Sequence, residues 1–148
     1  MVFRRESIEE RIKKLNKLFN FFKLNKGLTY EKLVGDITIG LAVERASALS
    51  AEIIIDIFSH ILASDHNLFP ETYEEAIELS LSKKIISNDL YKKLKGLGGY
   101  RNILIHEYLA LDYKEVHKNF KKLIDAIPRF QMEIIKYMNK KQGHRERM

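Results

Sequence analysis

Cysteine and tryptophan are absent from this 148-residue sequence, and proline occurs only twice. Without thiols there is no disulfide framework and no thiolate chemistry, and a reducing compartment would suit the chain. Two prolines and seven glycines leave no linker-rich or low-complexity segment. Long apolar runs are missing too. The greasiest stretch, AEIIIDIFSHILA, is broken by Asp56 and His60, so no membrane span is expected. The opening residues MVFRRESIEERIKK lack the apolar core of a signal peptide. A cytoplasmic protein is the expectation.

What is present is an ordinary globular composition, 45% hydrophobic and 31% charged, at a length that suits one domain with one core. Twenty-six lysines and arginines against 20 acids give a net charge of +6, which admits a phosphate-rich partner without demanding one. Much of that excess lies in KKQGHRERM. The expected division is a single helical domain over 1–139 and a basic tail over 140–148.

Helical spacing dominates. Ser7 and Glu10 have the spacing of a capping box ahead of Ile8, Ile12, Leu15, Phe19 and Phe22, and Gly27 is expected to end that helix. From Thr29 a second helix is predicted through Leu33, Ile37, Leu41, Ala46, Leu49, Ile53, Ile57 and Ile61, about thirty residues and well past the usual length. Thr72 and Glu75 open a short helix after the loop HNLFPET, and Ser87 or Asn88 caps the next. Glycines 96, 98 and 99 either interrupt that helix or admit another backbone closely. Asp112 and Glu115 open the last helix, which Pro128 should kink. No β alternation and no repeat appears. The expected fold is all-α: an up-and-down four-helix bundle with an extra short helix. Ile53, Ile54, Ile55, Ile57 and Phe58 cover more than one stripe of the second helix. Part of that surface is expected to face a second copy in a twofold dimer.

Several catalytic patterns fail. A zinc HExxH site would need histidine where Ala110 stands, and the paired ExxH of a di-iron bundle is missing. GLGGY lacks the spacing and the preceding strand of a nucleotide loop. Asp56 and His60, one turn apart, read as a buried polar pair or a contact across a dimer, and no metal or cofactor is expected. His66, His117 and His144 read as solvated surface.

The segment RNILIHEY remains. It sets Arg101, Asn102, His106 and Tyr108 within eight residues. On an ideal helix Arg101 and His106 stand about 140° apart and about 7.5 Å along the axis, whereas Arg101 and Tyr108 share a face. At a twofold axis one cleft would receive two arginines and two histidines. That inventory suits RNA cleavage without metal. One imidazole takes the proton of a ribose 2′-hydroxyl and the other protonates the leaving 5′-oxygen, while guanidinium groups hold the phosphate. The same residues would equally serve as a hydrogen-bonded segment that sets packing, with Arg101 paired to Glu107 or Asp112.

RNILIHEY resembles the R-x4-H-x-Y motif of the HEPN superfamily, with asparagine after the arginine. LAVERASALSAEIIIDIFSHIL and NDLYKKLKGLGGYRN also look like HepT-type proteins, the toxin half of HepT–minimal nucleotidyltransferase toxin–antitoxin pairs. The resemblance covers most of the chain. It implies a dimeric helical bundle with the motif at a cleft between protomers, and a metal-independent ribonuclease. By position, Arg101 and His106 take catalytic roles and Asn102 supports them. Tyr108 takes the position that a partner nucleotidyltransferase antitoxin can adenylylate. Two other readings use the same residues: a non-catalytic dimer that presents a nucleotide or substrate to a nucleotidyltransferase, and a purely structural helical dimer.

Overall fold

The computed structural model describes residues 5–147, and among them there are helices and no strands. Three helices are long: α1 (Arg5–Leu24), α3 (Ile37–His66) and α7 (Tyr113–Arg147). Four are short: α2 (Tyr30–Gly35), α4 (Tyr73–Ser82), α5 (Asn88–Leu94) and α6 (Leu97–His106). A single 3-10 turn covers Tyr108–Ala110. The all-α expectation holds, but the fourth bundle position is filled by α4, α5 and α6 together rather than by one long helix.

α3 is the axis, packed by α1, α2, α4, α6 and α7. Its isoleucines are the core. Ile53, Ile54, Ile55, Ile57 and Phe58 are all buried within one chain, so they do not supply the face for a second copy expected from the sequence. Helices approach them from several sides, which is why apolar residues occupy more than one stripe. Long and apolar enough to cross a membrane, α3 is instead mostly enclosed by its neighbours. The side it leaves outward carries Leu41, Arg45, Glu52, Asp56 and Ser59.

Most of the helix starts follow local chemistry. Thr29, Thr72 and Ser87 each accept a backbone N–H at the head of α2, α4 and α5. Asp112 accepts from Lys114 N at 2.9 Å ahead of α7. The helix from Thr29 does not run on for thirty residues, however. It stops at Gly35, and Asp36 restarts the chain by accepting from Thr38 N and Ile39 N. Ser7 caps nothing either: α1 is already helical at Arg5, and Ser7 bonds instead to Arg11 within the helix. α1 ends at Leu24, three residues before Gly27.

α7 continues as helix through Pro128 and through the basic stretch from residue 140 to Arg147. Arg5 ties this end down, donating to Asn139 and Gln142 at 2.8 Å each. His66, the last residue of α3, and His117 on α7 are half-buried rather than solvated: His66 lies against Tyr137, and His117 Nε2 meets Leu28 O at 2.8 Å. His144 is exposed.

Candidate functional site

The motif helix α6 does not cap itself. Gly96 precedes it with a left-handed φ of 90°, a conformation open to glycine, and has no side chain to offer. The cap comes from α4. Glu74 accepts from Gly96 N at 3.1 Å and from Gly98 N at 2.7 Å. A carboxylate at a helix N-terminus satisfies orphan N–H groups and meets the positive end of the dipole. Gly98 permits the approach: a Cβ there would stand 2.8 Å from Glu74 N and 2.8 Å from Tyr73 Cβ. Both sequence readings of the glycines are therefore realised, interruption at Gly96 and close passage at Gly98.

That docking sets Tyr73 beside Arg101, with the guanidinium 4.6 Å from the ring centroid. Arg101 is 9% exposed. Its Nη2 donates to both oxygens of Glu52 at 3.1 Å, and its Nη1 to Asn102 Oδ1 at 3.3 Å. Nε is buried without a partner. The expected pairings with Glu107 or Asp112 are not made; the acid that holds Arg101 comes from α3. Glu52 and Tyr73 went unread in the sequence. The available signal for Glu52 was a carboxylate directly ahead of the apolar run Ile53–Ile55 in the longest helix.

The other motif residues point outward. Asn102 and His106 are exposed, and His106 is the last residue of α6. Glu107 leaves helical geometry at φ −130° and ψ 47°, so Tyr108 falls on the 3-10 turn and not on α6. The shared helix face expected for Arg101 and Tyr108 is thereby lost. Tyr108 is 71% exposed and Leu109 90%, with Ile105 at 36%. Within one protomer Arg101 is fixed inward, and His106 is not among its hydrogen-bond partners.

Two adjoining hollows lie on this side of the bundle, and the first is lined by two of the residues that hold Arg101, Tyr73 and Asn102. One, of about 400 Å³, is lined by Ser59, Pro70, Glu71, Thr72, Tyr73 and Asn102. The next, of about 350 Å³, shares Ser59 and Pro70 and adds Arg11, Asp56, His60 and Phe69. Asp56 is thus at a surface hollow, not in a buried pair. Desolvation raises its carboxyl above the ordinary value, with Arg11 pulling the other way. Among the described residues no three histidine, aspartate or glutamate side chains converge as a metal site would require.

A helical bundle whose Arg-x4-His helix is docked on its central helix is a HEPN-like fold. The chain belongs to the ribonuclease HepT-like family, whose profile matches residues 8–134. Among curated proteins it is 25% identical over 131 residues to the putative RNase YutE of Bacillus subtilis, covering 88% of this chain and 91% of that one. It is 26% identical over 132 residues to the tRNA nuclease HepT of Aphanizomenon flos-aquae, covering 88% and 89%. The solved structure of YutE, described as a cytosolic protein of unknown function, superposes with a TM-score of 0.81 at 23% identity over 97% of this chain and 96% of that one. A tri-AMPylated HEPN toxin of Shewanella oneidensis, solved in complex with its MNT antitoxin, gives 0.77 at 22% identity over 90% and 98%.

Proposed function

We propose that the protein is a cytoplasmic, metal-independent endoribonuclease, the toxin half of a toxin–antitoxin pair whose antitoxin is a minimal nucleotidyltransferase. The observation that carries this reading is the state of Arg101. A buried guanidinium held by Glu52, Asn102 and Tyr73, the last two of which line an open hollow, is a preorganised cation, and preorganised charge stabilises a transition state without reorganising. The names of the HepT relative and of the antitoxin-bound neighbour supply the substrate class and the partner.

The chemistry follows from the side chains. A ribose 2′-hydroxyl attacks the adjacent phosphorus as His106 accepts its proton. Arg101 meets the charge that builds on the phosphoryl oxygens through Nη1, which is held only by the long bond to Asn102, whereas Nε is buried. The P–O5′ bond breaks, and the 5′-oxygen takes a proton from the partner subunit's His106. The products are a 2′,3′-cyclic phosphate and a free 5′-hydroxyl. A twofold dimer joins the two halves of this constellation, since one protomer offers a single exposed histidine here.

The test is cleavage of bulk tRNA and total RNA by the pure protein. Activity should persist in EDTA, yield cyclic-phosphate ends and vanish in His106→Ala, with Arg101→Lys also slow because a point charge cannot keep the guanidinium contacts. Loss of cleavage with chelator, or equal cutting of DNA, would overturn the mechanism. A folded wild-type protein that binds RNA or nucleotide but cuts nothing would favour the non-catalytic reading, in which Arg101 and His106 hold a phosphate for the nucleotidyltransferase.

A further inference from the structure

We infer that Glu52 is a positioning residue for Arg101, fixing the in-plane orientation of the guanidinium so that Nη1 meets the phosphate. This rests on the ribonuclease reading. Three groups restrain Arg101, and they do different things. Tyr73 packs against the guanidinium at 4.6 Å, but a stacked plane can still spin over a ring. Asn102 is adjacent in sequence and holds Nη1 only at 3.3 Å. Glu52 alone engages Nη2 through both carboxylate oxygens, each at 3.1 Å, and so removes the remaining rotation.

Glu52 is also badly suited to a purely structural role. Its side chain is 40% exposed, against 11% for Arg101, so water screens the pair and the fold gains little from it. What the contact does supply is direction. With Nη2 committed and Nε buried, Nη1 is left as the donor for an incoming oxygen. Glu52 meanwhile places a negative charge near any bound phosphate. It therefore opposes ground-state binding while improving alignment in the transition state, and that combination has a kinetic signature.

Glu52→Gln keeps the shape and one acceptor oxygen but removes the charge. On bulk tRNA, kcat should fall about 10- to 100-fold while KM stays level or drops. Glu52→Asp restores the charge at shorter reach and should recover part of kcat. The urea unfolding midpoint of both variants should match the wild type. Glutamine cleaving as fast as or faster than wild type would make Glu52 a bystander or a competitor for Arg101, and would overturn the assignment. A raised KM together with a lowered unfolding midpoint would also overturn it, in favour of a structural role. Both results leave the ribonuclease reading standing. A wild-type protein that cleaves neither bulk tRNA nor total RNA removes that reading and this assignment with it.

Discussion

Tyr108 stands 71% exposed on a turn that begins two residues past the end of the motif helix. A phenol so placed is easily reached by another protein, and its removal leaves no cavity. An adenylyl group there would add bulk and a negative phosphodiester on the exposed turn that follows the motif helix. Tyr108→Phe should therefore retain RNA cleavage and full stability, and should escape silencing by a nucleotidyltransferase partner. Mass spectrometry after co-expression is the check: no adenylyl mass on the peptide holding Tyr108 would remove the case for control at this residue. Arg101, Asn102, His106 and Tyr108 were legible because they lie within one short segment. Glu52 was not, because it meets Arg101 across 49 positions of sequence. Periodicity shows which face of a helix is wet, not which distant side chain that face will meet.

At the scale of elements, the contact between α4 and α6 is the sensitive one. Gly98→Ala would force its new carbon against the backbone of Glu74 and the Cβ of Tyr73, neither of which is the free end of a flexible chain. A loss of about 1–3 kcal/mol is expected, read by urea unfolding, together with reduced cleavage because Tyr73 shifts from Arg101. A second junction should show itself through pH. Glu133 on α7 is half-buried, and that desolvation by itself would raise its carboxyl. The hydrogen bonds from Arg129 and from Ser87 N and Oγ outweigh that and hold it below the ordinary value of 4.5. Because the folded-state value is depressed, the stabilisation is fully present above the ordinary value and is lost as pH falls below it and through the lower folded-state value. Glu133→Gln should cost about 1–2 kcal/mol at pH 7, and its gap from wild type should close on acidification. Capping residues announced most of these elements. The break at Asp36 was hidden because the apolar spacing runs straight across it, from Leu33 to Ile37 and Leu41.

For the whole molecule, the buried isoleucines of α3 shift any dimer to a different surface. Leu109, Tyr108 and Ile105 are exposed beside the motif, and Leu41 is 57% exposed on the outward side of α3. Exposed apolar residues beside the motif fit a partner surface better than they fit water. Light scattering should find a dimer at micromolar concentration. Leu109→Glu should weaken it and lower cleavage together, while the unfolding midpoint extrapolated to low protein concentration stays put. A wild-type monomer would remove the shared cleft.

The borrowed cap on α6 has a consequence for how the molecule breathes. A ten-residue helix with a glycine start is marginal alone, and its first amides are held by Glu74 rather than by its own turn. Whenever α4 lifts, those amides are released and Arg101 loses Tyr73 in the same event. In native-state hydrogen exchange, the α6 amides should therefore follow α4 as one cooperative unit, separate from the slower amides of α3. The frequency of that opening would set how often the arginine is out of register with its site.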